Sequence, residues 1–174
     1  MPCAGDNLTP FLNSTRQSQR DREQLARWSH CLASVVDHIH GIGIRHRDVK
    51  PSNILISNGR LLLADFGISS MGFVETLSTT MPDIARARIS SHCASEVENG
   101  SSRGRSADIF SLGAVFLQML VAYSCDGVLR LQLAYLAGQS FARNVDELQD
   151  WLPNLEQTIG EPDGWCHKVL DLCR

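Results

Sequence analysis

The sequence predicts an α+β fold that is mainly α, with one small β-hairpin set beside a dense polar stretch. Three observations carry this. Between Arg22 and His40, apolar residues recur at spacings of three and four, the period of a helix with one buried face. The runs NILIS (53–57) and RLLLA (60–64) flank Asn58-Gly59, a strong two-residue hairpin signal. From Ser106 to about Tyr123 the chain is apolar nearly all round, as suits a helix at the centre of a core.

The elements follow in order. Residues 1–20 are polar, with a short apolar knot at Leu8, Phe11 and Leu12. The first long helix buries Leu25, Trp28, Leu32, Val35, Val36 and Ile39, and Gly41 and Gly43 end it. After the hairpin, residues 67–105 are mostly Ser, Thr, Arg and Gly with little periodicity; a loop of that length inside a domain is usually functional or mobile. Ser106 is placed as the cap of the central helix. Two or three further helices fill residues 128–174, with breaks near Pro153 and Pro162-Asp163-Gly164. No internal repeat is present.

A length of 174 residues is one ordinary domain or a large piece of one, and 43% hydrophobic with 20% charged residues is a globular balance. A net charge of −3 gives no reason to expect nucleic acid or an anionic membrane. Arg86, Arg88, Arg103 and Arg105 make a local basic region without interleaved aromatic residues, which reads as a solvated loop. None of the 6 cysteines sits in a C-x-x-C pair, which argues against zinc. The opening MPCAGDNL lacks a charged region followed by an apolar run, so it does not read as a secretory signal. Ile109 to Tyr123, interrupted by Ser111, Gly113 and Gln118, reads as too short and mixed to span a bilayer. The expectation is an intracellular, cytoplasmic or nuclear, protein with free thiols and no membrane partner.

The stretch IRHRDVKPSNILI, residues 44–56, packs His46, Arg47, Asp48, Lys50, Pro51 and Asn53 together. One acid, one ammonium and one amide so close point to chemistry on a phosphate. Singly, each residue has a plainer reading. Asp48 or Asp65 alone is a turn or cap residue. His46 alone is a packed histidine, Leu55 and Phe66 are core, and Asp108 is a first-turn helix acid. Jointly they form a pattern. HRDVKPSN, followed by DFG at 65–67, resembles the catalytic loop and metal-binding motif of the eukaryotic-type protein kinases. CASEV (93–97) resembles the segment that closes the activation loop of that family. SADIFSLGAVFLQML (106–120) resembles its central helix, so the likeness runs over nearly the whole chain. Antibiotic and choline kinases share an aspartate-plus-asparagine loop, but usually lack the Lys50-Pro51 pair and the DFG form.

The resemblance implies a protein-kinase-like large C-terminal lobe of serine/threonine type, with ATP and Mg2+ as cofactors and a protein substrate. It implies that Asp48 orients the substrate hydroxyl and that Lys50 sits near the transferred phosphate of the bound nucleotide. Asn53 and Asp65 become oxygen ligands of magnesium. Leu55 would lie under the adenine ring, Phe66 behind the metal site, and Gly67 would let the loop turn. His46 is structural in the family, Arg47 clamps a phosphorylated activation loop, Glu96 pairs with a late arginine, and Asp108 holds the catalytic-loop amides. Residues 65–96 become the activation segment, with Ser69, Ser70, Thr76, Ser78, Thr79, Thr80, Ser90 and Ser91 as phosphorylation candidates.

Some features depart from the family. There is no G-x-G-x-x-G and no V-A-I-K, and the only lysines are Lys50 and Lys168. Ser95, His92 and Phe110 replace the usual proline, aromatic residue and tryptophan. The expectation is therefore a partial kinase domain over 1–174 that opens near the hinge, without the N-terminal lobe. Alone it is expected to be inactive or weak, because positioning supplies most of the catalysis. A small lobe in trans, or another kinase, would then be a partner. Two other readings stand beside this one: a non-catalytic, pseudokinase-like interaction module, and an incomplete or decaying copy of a longer kinase.

Overall fold

A computed structural model describes residues 6–15, 17–66, 70–71, 91–98, 104–159 and 164–173. Helix α1 (Leu8–Asn13) is capped by Asn7, whose side chain accepts from the Thr9 amide. Helix α2 (Gln19–Gly41) begins three residues earlier than its apolar face indicates. Ser18 and Asp21 close a reciprocal capping box there: the Asp21 amide donates to Ser18 Oγ, and the Ser18 amide donates to Asp21 Oδ2. Leu25, Trp28, Leu32, Val36 and Ile39 are buried on its inner face, while Val35 is half-buried. Gly41 is its last residue, and Gly43, at φ 80°, turns the chain into strand β1 (Ile44–Arg45).

Strands β2 (Ile54–Ser57) and β3 (Arg60–Leu63) form the expected antiparallel hairpin, with Ile54 opposite Leu63 and Ser57 opposite Arg60. Asn58 and Gly59 have φ of 51° and 74°, the left-handed pair that a two-residue turn between twisted strands requires. The turn is tied to α2, because Gly59 O accepts from Gln24 Nε2 (2.7 Å) and Trp28 Nε1 (3.0 Å). One rung beyond the strands, the Ala64 amide donates to Asn53 O at 2.8 Å. A second sheet, of two residues a side, pairs β1 with strand β4 (Ser70–Met71) and was not expected.

Helix α3 (Ser95–Glu98) is one turn long. Helix α4 (Arg105–Ser124) is the central element; α1, α2, α5 (Gly127–Gln139), α6 (Val145–Ile159) and α7 (Gly164–Cys173) all pack on it. Leu112, Val115, Phe116, Met119 and Leu120 are in its buried set. Three expectations need correction here. Gly104, not Ser106, is the N-cap, and it makes no side-chain cap bond. Ser106 lies inside the first turn, where its hydroxyl is directed at Glu96 instead. Second, α4 is long and apolar enough to cross a membrane by length and composition; 67% of that window is buried inside the fold, as in the core helix of a folded domain. Ile109, 53% exposed, marks its one open side.

The third correction is Pro153, which does not break a helix but lies within α6. A proline inside a helix costs about 3 kcal/mol. Leu148, Trp151, Leu152 and Leu155 are buried at helical spacing around it, and burying one such side chain stabilises by about 1.5–3 kcal/mol. Burial outweighs the lost hydrogen bond. Three helices therefore fill the C-terminal third.

Candidate active site

The loop from His46 to Asn53 runs between β1 and β2 and is held from behind by buried polar groups. Asp108, in the first turn of α4, is 1% exposed. Its carboxylate accepts from the amides of His46 (2.8 Å) and Arg47 (2.7 Å) and bonds His40 Nε2 (2.9 Å). His40 stands near the end of α2, and its carbonyl accepts from Arg105 of α4 at 2.7 Å. One buried carboxylate thus joins the end of α2, the start of α4 and the loop. A buried charge is tolerated when it is hydrogen-bonded in this way.

His46, fully buried, is the second anchor. The Asp48 amide donates to its Nδ1 (3.3 Å), which leaves Nε2 as the protonated nitrogen, donating to Ala64 O (2.9 Å). The ring therefore fixes the loop to the residue before Asp65. Phe66 packs edge-on against it, with ring centroids 4.6 Å apart. Arg47 and Asp65 take left-handed φ of 70° and 61°. For residues other than glycine this conformation is costly and survives where surrounding bonds impose it, commonly at functional sites.

The front of the loop gathers the candidate chemistry. Lys50 Nζ and Asn53 Nδ2 both donate to Asp48 Oδ2, at 2.7 and 2.9 Å. Asn53 Nδ2 also reaches the Asp48 carbonyl at 2.9 Å. Pro51 opens a short 3-10 helix, Pro51–Asn53, which carries Asn53 from the loop to the foot of β2. Because Ala64 pairs with Asn53, Asp65 begins one residue beyond the same end of the hairpin. Asn53 is buried and Asp65 exposed. Among the described residues no group of three or more His, Cys, Asp or Glu is gathered as a metal site. Asn53 and Asp65 fit a cation that takes few protein ligands and completes its shell with phosphate oxygens and water, which is how magnesium binds.

Leu55 is half-buried on β2, bridged to Asn7, and the neighbouring Ile56 amide donates to Asp6 O at 2.9 Å. The segment before α1 therefore runs beside Leu55. Glu96 stands apart on α3, where it accepts from Ser106 Oγ at 3.3 Å. Gly67 and, among the phosphorylation candidates, Ser69, Thr76, Ser78, Thr79, Thr80 and Ser90 lie outside the described residues.

Sequence reasoning missed His40, and it read Arg105 as part of a solvated basic loop, whereas Arg105 is the first residue of α4 and its guanidinium donates to His40 O. It also treated His92 as a mere departure from an aromatic residue. His92 is buried, its Nε2 bonds Gln118 Oε1 (3.1 Å), and its ring packs on Phe141 at 5.2 Å. Burial lowers its pKa from the ordinary 6.5; the Gln118 bond opposes this, Lys50 adds to the lowering, and Asp48 raises it.

A central apolar helix whose first-turn aspartate holds an HRD loop, with a hairpin carrying Asn53 and Asp65 in front, is the arrangement of one class. The protein kinase domain family matches residues 2–126, and the chain belongs to it. It is 36% identical over 101 residues to serine/threonine-protein kinase AtPK1/AtPK6 of Arabidopsis thaliana, covering 57% of this chain and 21% of that protein. It is 37% identical over 90 residues to ribosomal protein S6 kinase alpha-6 of Danio rerio, covering 51% of this chain and 12% of that protein. It is 31% identical over 118 residues to CBL-interacting serine/threonine-protein kinase 8 of Arabidopsis thaliana, covering 65% and 25%. The aligned region is thus a quarter or less of each of these relatives.

Proposed function

We propose that this chain carries the phosphoryl-transfer site of a serine/threonine protein kinase, moving the γ-phosphate of ATP to a hydroxyl of a protein substrate. The observation that supports this best is the convergence of Lys50 and Asn53 on one oxygen of Asp48. Both bonds fall on Oδ2. Oδ1 remains to accept a hydrogen bond from the substrate hydroxyl and align it for attack. Lys50, paired to that carboxylate, sets a positive charge where the transferred phosphate gains negative charge. Asn53 commits its Nδ2 to Asp48, so Oδ1 of its amide is the atom that would meet magnesium, with the Asp65 carboxylate as the other ligand. When bound, magnesium neutralises and bridges the nucleotide phosphates. Leu55, beside the segment at Asp6 and Asn7, would take the adenine ring. The reading places the protein inside the cell, where ATP and magnesium are abundant.

The test is magnesium-dependent binding of ATP, followed by transfer to serine-containing peptides, in the wild type and in Asp65→Asn. Binding that requires magnesium and is lost in the variant supports the reading. A wild type that binds no nucleotide with magnesium would overturn it. That result would favour the interaction module, for which one observation speaks: Val128, Leu131 and Tyr135 line one side of α5 at 65%, 75% and 68% exposure.

A further inference from the structure

Helix α5 is apolar on two sides. Its inner side buries Leu129, Leu133 and Leu136. Its outer side carries Val128, Leu131 and Tyr135, each at least 65% exposed. Their i, i+3 and i+7 spacing lines them up as one stripe, about 10 Å long. A surface helix normally turns charged and polar residues outward, and a helix that is apolar all round is normally covered. Here the outer stripe carries no charge. Arg130 is the only ionic residue of α5; it is half-buried and donates to Leu12 O. Aligned large apolar side chains with no charge among them have the character of a contact surface.

The edge of the stripe sets the chemistry of its occupant. Gln132, exposed and next to Leu131, accepts from Trp151 Nε1 of α6 at 2.8 Å, which seats α6 alongside. Asp150 directly precedes Trp151, Glu147 lies one turn before it, and both are exposed. Helix α6 contains no Lys or Arg. Arg143, just ahead of it, and Arg130 are the only cations between residues 126 and 159, against five acids. We propose that α5 and the acidic edge of α6 form a docking site for a basic amphipathic helix of another protein. Its apolar residues would lie on the stripe, and Lys or Arg along one flank would face Glu147 and Asp150. Two other occupants fit less well. A second copy, paired antiparallel through α5 about a twofold axis, would bring the two α6 edges to the same side, acid against acid. An anionic lipid surface would meet the same carboxylates with like charge. The site uses no nucleotide, and α5 and α6 lie beyond the residues 2–126 that match the kinase family, so the proposal stands apart from the kinase reading.

The test uses three labelled helical peptides of about 18 residues, with leucines at i, i+3 and i+7 spacing and a flank of Lys, Gln or Glu. Fluorescence anisotropy against the full chain at low salt reads their affinities. The Lys peptide should bind about tenfold more tightly than the Glu peptide, with the Gln peptide between, and the difference should shrink as salt rises. Leu131→Ser should remove binding, and Tyr135→Ser repeats that test at the other end of the stripe. Glu147→Gln combined with Asp150→Asn should bring the three affinities together. All four side chains are exposed, so these variants should melt at the wild-type temperature, which is measured alongside. No binding by any of the three peptides up to about 1 mM, equal affinities in the wild type, or binding that survives both serine variants would each overturn the proposal. So would self-association in the ultracentrifuge that Leu131→Ser abolishes, which assigns the stripe to a second copy. Flotation with phosphatidylserine vesicles that Leu131→Ser abolishes would overturn it in favour of a membrane.

Discussion

The rear and the front of the loop from His46 to Asn53 are held by different physics. At the rear, Asp108, His46 and His40 are 1%, 0% and 7% exposed, and their bonds reach α2, α4 and β3's exit. At the front, the side chains of Lys50 and Asp48 are 29% and 18% exposed, and Asp65 is open to solvent. Water weakens a pair in such a position, and an ion pair there is worth about 0–1 kcal/mol. The rear fixes the backbone and the front presents the groups proposed to react. Stability and chemistry should therefore be separable by substitution.

The rear gives the largest expected effect. Asp108→Ala leaves the buried His46 amide, the part-buried Arg47 amide and His40 without their acceptor, and breaking such a network costs about 3–5 kcal/mol. Urea denaturation should show that loss, and any transfer activity should fall with it because the loop is no longer placed. A loss under about 1 kcal/mol would mean that water replaces the carboxylate and that the rear is not rigid in the way described. At the front, Asp48→Asn should do the reverse. Its stability should stay within about 1 kcal/mol of wild type, while under the proposed function any peptide phosphorylation falls about 10²–10⁴-fold. A large loss of stability in Asp48→Asn would dissolve the distinction between the two regions.

The same division explains what the sequence made legible. The front was readable because its residues are close in the chain: Asp48, Lys50 and Asn53 span one motif, and the Asn58-Gly59 turn announces the hairpin that returns Asp65. The long helices were readable from their apolar faces, and the true start of α2 was written in Ser18 and Asp21. The rear was only half readable. Asp108 came from a family resemblance, whereas His40 and Arg105 do their work across more than sixty residues and leave no local signal. Strands of two residues, β1 and β4, are too short to show alternation. Pro153 misled because its local cost is real but smaller than the burial around it.

A smaller effect isolates the hairpin's turn from its functional end. Gly59 has φ of 74°, and a Cβ there would meet only Gln24 Nε2, at 3.9 Å. Gly59→Ala should therefore cost only the left-handed conformation, about 1–2 kcal/mol. The turn lies at the opposite end of β2 and β3 from Asn53 and Asp65, so magnesium–ATP affinity should not change. If affinity falls with stability, the hairpin transmits strain along its length and the front is less independent than its exposure indicates.

The smallest effect is expected from His92, which sits between the two regimes: buried like the rear, yet within electrostatic reach of Lys50 and Asp48. Burial, the largest cause, lowers its pKa below 6.5, so the folded chain resists a proton that the unfolded chain accepts. The sign follows. Well above pH 6.5 neither state is protonated at this residue, and its contribution to stability is complete. As pH falls below 6.5 the unfolded state gains the proton first, and stability declines until the lowered folded pKa is passed. One group gives a slope of at most about 1.4 kcal/mol per pH unit. Denaturation of wild type and His92→Phe between pH 8 and 5 checks this, since phenylalanine keeps a ring against Phe141 and cannot titrate. The wild type should show the steeper decline below pH 6.5, whatever the offset between the two at pH 8. Parallel curves would assign the acid sensitivity to other groups. Asp48→Asn should extend the comparison from the other side: it removes a nearby charge that raises the His92 pKa, so the window over which stability is lost reaches further into acid.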